Sequence, residues 1–291
     1  MIKFAIIVTY EPNINILNRL CSTIISQEFN IVIFDNSELE RVEIEAIEKC
    51  CNCYLISKGK NMGIAFAQNE GVKFAKSKGA EIVTFFDQDS IITDDLLYKL
   101  EKKLIELKNC VVCPVSVEEN TGIEYPSHRI TNLGITKDIY SKTSKEIVEV
   151  DIAISSGTTM FVDTINKTGY FDEDFFIDFV DIEWCIRSRR LGTKIYVVPD
   201  AIMYHSIGQS SLRVGPLTII KHNPVRTYYK TRNSFLLLRK NVNYLFALRQ
   251  IIPAIIHNLV LIFLVRNKKE YLRCYLKGFF HGIIGKTGKL L

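Results

Sequence analysis

Residues 82–90 read Ile82-Val83-Thr84-Phe85-Phe86-Asp87-Gln88-Asp89-Ser90. Five apolar, β-branched or aromatic residues suit a short buried strand, and an acid–amide–acid step ends it. Three earlier runs have the same form: Phe4 to Thr9 (FAIIVT), Ile31 to Phe34 (IVIF, running into Asp35-Asn36-Ser37) and Tyr54-Leu55-Ile56. Between them lie two segments of helical spacing. Ile14 to Gln27 places Ile16, Leu17, Leu20 and Ile24 on one face, and Ala65 to Lys78 does so with Phe66, Val72, Phe74 and Ala75. Strand and helix alternating at this interval predict an α/β fold with a parallel sheet covered on both faces. In such sheets ligands lie at the carboxyl ends of the strands. Here those ends are Thr9, Asp35, Lys60-Asn61 and Asp87, all polar.

The rest of the 291 residues extend this frame. Residues 110–165 are rich in strands and turns and predict a continuation of the sheet that builds an acceptor side. The hydrophobic share of 47% supports one large domain with a smaller appendage, and a charged share of 24% with no low-complexity tract argues against a disordered chain. Charge divides the molecule. From Arg213 to Leu291 there are fifteen Lys/Arg and one acid, Glu270; the remainder carries 22 bases against 31 acids. The reading is a catalytic domain over 1–212, with halves 1–110 and 111–212, followed by a basic helical region over 213–291. The opening MIKFAIIVTY meets a polar turn at Glu11-Pro12-Asn13 too early for a secretory signal. The eight cysteines, including the Cys50/Cys51/Cys53 cluster and the Cys110/Cys113 pair, are therefore expected as reduced, buried thiols rather than disulfides or a zinc site.

Three places carry chemistry. Asp87 and Asp89, one residue apart at a strand end, suit a Mg²⁺ or Mn²⁺ ion facing a diphosphate, since hard cations take oxygen ligands. Residues 170–187 (GYFDEDFFIDFVDIEWCIR from Gly169) interleave acids with aromatics, as a sugar pocket does. If helical throughout, Asp178, Asp181 and Trp184 share a face, and one carboxylate is placed to take a proton from an acceptor hydroxyl. The plainer reading of the same stretch is a helix start capped by Asp178, with Glu183 and Arg187 as an i,i+4 ion pair. His205, after the apolar run ending in Val198-Pro199, is either a structural histidine or a metal ligand.

The ordered set IIVTYEPN, IFDNS, GKNMGIAFAQNEG, FFDQDS, SSGTTMFV, GYFDEDFFIDFVDIEWCIR and YHSIG resembles the family 2 glycosyltransferases of GT-A fold, over about residues 3–240. With TYYKTRNSFLLLRK, it is most similar to the rhamnosyltransferases of bacterial O-antigen and cell-surface polysaccharide synthesis. The resemblance implies a GT-A, Rossmann-like fold and an inverting transfer from dTDP-L-rhamnose to a lipid-linked glycan acceptor. It implies that Thr9, Glu11, Asp35, Asn61, Gly63 and Asp87 contact the nucleotide and that Asp89 and His205 hold Mg²⁺ or Mn²⁺. Asp181 would be the base, with Glu183 as rival, and Gly157, Asp178 and Trp184 would lie on the acceptor and sugar side. Two departures stand out: Val180 replaces the Glu of the family's Glu-Asp pair, and Glu11 stands where Asn is common. The alternatives are a UDP-sugar galactosyl- or glucosyltransferase of the same fold, or a non-catalytic nucleotide-sugar-binding protein.

Ile251 to Val265 is fifteen residues of mostly apolar sequence, short of the ~20 a spanning helix wants, and Arg266, Lys268, Lys269, Arg273 and Lys277 follow it. Helices lying in the plane of an anionic membrane are expected, on the cytoplasmic face where lipid-linked acceptors are built. A homodimer interface is the other use of such a surface. No nucleic-acid-binding motif accompanies the basic charge.

Overall fold

The structure, a computed structural model, describes residues 1–38, 47–48, 52–205, 211–214, 217–220, 223–240 and 242–290; of 205, 211–214 and 217–220 it describes the backbone alone. The amino-terminal half alternates β1 (Lys3–Thr9), α1 (Ile14–Ser26), β2 (Asn30–Asp35), β3 (Cys53–Ser57), α2 (Ile64–Ser77) and β4 (Ile82–Asp87). Next come β5 (Ser90–Ile92), α3 (Leu96–Leu107) and β6 (Cys110–Glu118), then the hairpin β7 (Ser127–Ile130) and β8 (Thr136–Ile139). After β9 (Val148–Val150) and β10 (Thr159–Phe161) lie α4 (Val162–Thr168), α5 (Val180–Arg190) and β11 (Lys194–His205). A second hairpin, β12 (Ser211–Val214) and β13 (Leu217–Ile220), leads to α6 (Pro224–Leu236), α7 (Tyr244–Leu264) and α8 (Lys268–Ile284).

The main sheet runs β3-β2-β1-β4-β10-β6-β11-β5, with β9 also on β11. β3, β2, β1 and β4 are parallel, as the alternation predicts. β10 enters antiparallel between β4 and β6, so the sheet is mixed and mostly parallel. Strand period divides the core. Phe4, Ile6, Val83 and Phe85 face one slab; Ala5, Ile7, Ile82 and Phe86 face the other. α1 starts where Asn13 accepts from Asn15 N and Ile16 N, and it buries Leu17, Leu20, Cys21 and Ile24. α2 approaches the sheet through Gly71, where a Cβ would lie 2.4 Å from Ile6 Cγ2. Register then aligns the strand ends: Thr9 pairs with Asp35, and Val8 with Asp87.

The expected buried thiols are found at Cys21, Cys53, Cys110, Cys113 and Cys185, all free. Burial pushes the Cys110 thiol up to about 11, and that of Cys113 further still. Cys50 and Cys51 lie outside the described residues.

One sequence expectation is corrected here. The apolar run at 251–265 is part of a helix of 21 residues, Tyr244–Leu264, long and apolar enough to cross a membrane by length and composition. Its first two turns, which carry Arg249, hide this in the sequence. One face of that helix is nonetheless docked on protein. Asn258 Nδ2 donates to Thr231 Oγ1 of α6 at 2.7 Å, and Arg249 Nε donates to the Leu133 carbonyl at 3.0 Å.

Gly71→Ala should cost about 1–3 kcal/mol of stability by overpacking the α2–β1 contact. Chemical denaturation of the purified variant would measure it, and an unchanged midpoint would contradict the close approach.

Candidate active site

At the ends of β1 and β2, Asp35 is 4% exposed and its Oδ1 collects three donors. Thr9 Oγ1 and Ser37 Oγ donate at 2.8 Å each, and Ser37 N at 3.2 Å. Ser37 Oγ in turn accepts from Glu11 N at 2.9 Å, in a turn where Glu11 takes φ 48°. Asn36 stitches this corner to the loop before α2: its Oδ1 accepts from Met62 N, and its Nδ2 donates to the Gly63 carbonyl. Asn61 Oδ1 accepts from Gly63 N. Gly63, at φ 89°, has no room for a Cβ, which would sit 2.7 Å from the Phe176 carbonyl. That carbonyl accepts from Ile64 N at 2.7 Å. The amino-terminal loop thus touches the acid-rich segment directly.

β4 delivers Asp87 half-buried at its end, with Asp89 half-buried in the turn that follows. Tyr10 N donates to Gln88 Oε1 at 2.7 Å, joining this turn to β1. Ser156 Oγ accepts from Asp87 N and shares a 2.8 Å hydrogen bond with Ser90 Oγ. Next to it Gly157, at φ 78°, lies buried under Pro114, with its N–H on the Phe85 carbonyl. β11 pairs antiparallel with β5 so that His205 stands opposite Ser90, one residue past Asp89. The His205 side chain is outside the described part. Among the described residues no three His, Cys, Asp or Glu side chains stand grouped around a cation position.

The acid-rich segment sorts its carboxylates by partner. Asp172 and Asp174 pair with Lys240 at 2.7 and 2.6 Å, and Glu173 accepts from Asn69 Nδ2 at 2.8 Å. Glu183 is 2% exposed and gripped by Arg187 at 2.7 and 2.9 Å, the expected i,i+4 pair. It is turned into the protein and is no rival base. Trp184 is also 2% exposed: its Nε1 donates to the Gly169 carbonyl and its ring packs 5.5 Å from Phe171. It is a core residue rather than a wall of the acceptor side.

The shared helix face expected for Asp178, Asp181 and Trp184 is not formed. Phe176, Asp178 and Phe179 take φ 65°, 62° and 67°, and α5 begins only at Val180. Asp178 does not cap it either. Its carboxylate is held by Arg226 of α6, with Nε 3.1 and 3.2 Å from the two oxygens and Nη2 at 3.1 Å. Left-handed residues without a glycine are costly, and α6 holds them. Asn233 Nδ2 reaches the carbonyls of Phe175, Ile177 and Asp178 at 3.0, 2.7 and 2.9 Å, and Arg232, fully buried, donates to those of Asp174 and Phe175.

Asp181, in the first turn of α5, is half-buried by surface but deeply surrounded at its carboxyl. Burial pushes that carboxyl up to about 6; Asp178 and Asp87 add to the rise, while the Ile182 N–H, 2.9 Å away, opposes it. Burial works against the charge of Arg226, yet Asp178, with Asp87 and Asp181 behind it, holds its guanidinium above the ordinary value. Beside Asp181, Ile182 lines a groove of about 380 Å³ with His128, Phe246, Arg249 and Pro253. A raised carboxylate in a cleft, with half-buried acids at a strand end and a hydrogen-bonded polar corner at Asp35, suits proton abstraction.

Comparison with known families agrees. The family described as Glycosyl transferase family 2 matches residues 4–165. The chain belongs to that family. As a family 2 glycosyltransferase, it is an enzyme of sugar transfer. It is 36% identical over 288 residues to dTDP-rhamnosyl transferase RfbF of Shigella flexneri, covering 98% of this chain and 96% of that one. Its fold is similar to that of GalNAc-T7, solved with UDP, GalNAc and Mn²⁺: TM-score 0.63, 15% identity, 82% of this chain but only 48% of that one. It is similar also to residues 1–349 of S. aureus TarS in complex with UDP, at TM-score 0.60 and 15% identity over 97% of this chain and 81% of that one. Both are likenesses of fold.

Sequence reasoning missed Asn36, Ser37, Ser156, Arg226 and Asn233. The first two stand in the quoted IFDNS and Ser156 in SSGTTMFV, so the motifs held them. Asn233 stands in the quoted TYYKTRNSFLLLRK, whereas Arg226, one residue before it, was visible only as a member of a basic region. Asn233→Ala should cost about 2 kcal/mol, because the Ile177 and Asp178 carbonyls lose this amide donor while that of Phe175 keeps Arg232. Thermal unfolding would check the loss, and sugar transfer should fall with it; full activity in the variant would show that the left-handed segment holds itself.

Proposed function

We propose that this enzyme transfers L-rhamnose from dTDP-L-rhamnose to a lipid-linked glycan acceptor in bacterial surface polysaccharide synthesis, inverting the anomeric carbon. The observation that carries the donor is the identity with dTDP-rhamnosyl transferase RfbF along nearly the whole of both chains. Thr9, Glu11, Asp35, Asn61, Gly63 and Asp87 form the nucleotide corner, with Asp35 accepting from the base imide N–H. Asp89 and His205 are the residues to hold Mg²⁺ or Mn²⁺. Their fit rests on a half-buried carboxylate at the β4 end and on the register of β11 against β5. Among the described residues no third ligand is grouped there, and the donor's phosphates and water would supply the remaining oxygens that a hard cation takes. When bound, the cation neutralises charge on the departing diphosphate.

Asp181 takes the proton of the acceptor hydroxyl as that oxygen attacks from the face opposite the diphosphate. A single in-line displacement inverts the sugar carbon, so a β-L-rhamnosyl donor gives an α-L-rhamnoside. The acceptor lies toward Asp178 and the groove beside Ile182; the buried Trp184 has no part in holding it. Because burial sets the Asp181 carboxyl near 6, it is an ionised base above that pH and becomes protonated as pH falls through it. Transfer should therefore decline on the acid side of about pH 6. Asp181→Asn should remove transfer more than about 100-fold while nucleotide binding persists. The donor is tested by thermal stabilisation and turnover with Mn²⁺ and a set of nucleotide sugars. Preference for UDP-GlcNAc over dTDP-L-rhamnose would overturn the rhamnose reading, and near-normal turnover of Asp181→Asn would overturn the base.

We further propose that α7 and α8 lie in the plane of an anionic membrane on the cytoplasmic face. Leu245, Leu248, Ile252, Ile256, Leu259 and Phe263 form one exposed stripe of α7 at helical spacing, and Leu272, Leu276, Phe280 and Ile283 one of α8. Phe263 is 76% exposed. Arg266, Lys268, Lys269 and Arg273 stand exposed beside them, each worth about 1 kcal/mol at an anionic surface. The docked inner face of α7 supports an in-plane position over a crossing one. The wild-type protein should float with anionic liposomes, and the double variant Ile252→Glu, Phe263→Glu should remain below. Equal flotation would show that the stripe serves something else, such as a second copy of the chain.

A further inference from the structure

The reaction as proposed leaves two cations of α6 without a task. Arg226 and Lys230 are four residues apart, so they share one face of the helix, and that face meets Asp178. Arg226 embraces both Asp178 oxygens in a fork, the same geometry with which a guanidinium grips a phosphate. Its side chain is 35% exposed while that of Asp178 is 9% exposed, so the cation forms the open side of the pair. Asp87, at the β4 end, and Asp181 both act on Arg226, which places the guanidinium among the carboxylates that flank a donor. Lys230 is held below its ordinary value by burial and by repulsion from Arg226, with Asp178 pulling the other way. Because Lys230 stands one turn along the same face, an anion arriving at the open side of Arg226 meets a second cation there. The backbone under Asp178 is strained, at φ 62°, and such strain gathers at ligand clamps.

We propose that Arg226 and Lys230 are the seat of a substrate diphosphate, and that Asp178 occupies Arg226 until the diphosphate arrives. The arriving phosphate takes the guanidinium fork and releases Asp178 to accept from a sugar hydroxyl. Asp178 is thus a placeholder before the donor binds and a recognition group afterwards, which orders the substrates: donor first, acceptor second. The inference rests on the nucleotide-sugar reading above. A diphosphate occurs in both substrates, in the donor and at the lipid end of the acceptor; proximity to Asp87 favours the donor's.

Calorimetric binding of dTDP and dTMP to the full chain with Mg²⁺ separates the outcomes. Arg226→Gln should weaken dTDP about tenfold or more, as loss of charge-assisted hydrogen bonds does, and leave dTMP within about twofold. Asp178→Asn should bind dTDP as tightly as the wild type or a few-fold more tightly, because the competing carboxylate is gone. A pair that is only structural would make the two variants weaken dTDP alike, and that result overturns the proposal. If Arg226→Gln leaves dTDP unchanged, the KM for a lipid-diphosphate acceptor is compared with that for the same glycan lacking the diphosphate. A rise confined to the former assigns the seat to the acceptor, and no rise overturns it. Should Arg226→Gln fail to fold, Arg226→Lys keeps the charge without the fork and should lose dTDP affinity selectively; equal loss for dTMP counts against the seat. A wild-type chain that binds neither nucleotide removes the donor reading itself, a result distinct from any difference among variants.

Discussion

The grip of α6 on the segment 174–178 is the constraint from which the rest of the cleft follows. Three residues with side chains, Phe176, Asp178 and Phe179, take left-handed φ within four positions. Nothing local favours that conformation, which costs roughly 1–2 kcal/mol per residue. The amide of Asn233 and the guanidinium of Arg232 satisfy the carbonyls this path turns inward, and together these hydrogen bonds offset the strain. Once the path is set, α5 begins at Val180 and Asp181 stands in its first turn facing the end of β4. The Phe176 carbonyl also reaches Ile64 N, so the same segment fixes the start of α2 and the loop of Asn61 and Gly63. One helix from the carboxyl-terminal quarter therefore positions residues on both sides of the cleft.

Electrostatics divides the acids of that segment into two groups. Asp172, Glu173, Asp174 and Glu183 are each matched to a partner, and their contribution is to shape. Asp178 is turned to Arg226, and Asp181 feels the charges of both Asp178 and Asp87. Buried like charges resist ionisation unless a cation or a hydrogen bond compensates. Arg226 pairs with Asp178, whereas Asp181 has only backbone N–H groups and is left with a carboxyl raised by burial. α6 brings a guanidinium to Asp178, and burial without such a partner is what raises Asp181.

The same helix links the cleft to the apolar surface. α7 rests on α6 through Asn258 and Thr231, and the hairpin tip at Gly134 presses on the start of α7, where a Cβ would lie 2.4 Å from Phe246 N. The exposed stripes of α7 and α8 are thus rigidly referenced to the cleft rather than tethered by a linker. On the membrane placement proposed above, an acceptor held in the bilayer would be met at a set height.

Local pattern was sufficient for the amino-terminal half. Alternation of period 2 and period 3.6 is written residue by residue, so β1, α1, β2, α2 and β4, the polar strand ends and the Asp87–Asp89 step were legible in the sequence alone. The i,i+4 pair Glu183–Arg187 was legible for the same reason: both partners lie on one turn of one helix. What only the tertiary structure decided depends on residues far apart in the chain. The break before α5, the burial of Trp184 and Glu183, and the capture of Asp178 by Arg226 all require contacts between elements some 50 residues apart or faces of a helix that periodicity does not label. The length of α7 escaped because Arg249 interrupts the apolar run, although its guanidinium is satisfied by the Leu133 carbonyl across the fold. Composition counted the cations of the last 79 residues as one basic region; folding sends some to the surface and others into the cleft, because a buried charge goes where a partner is, and the partner's place is set by topology.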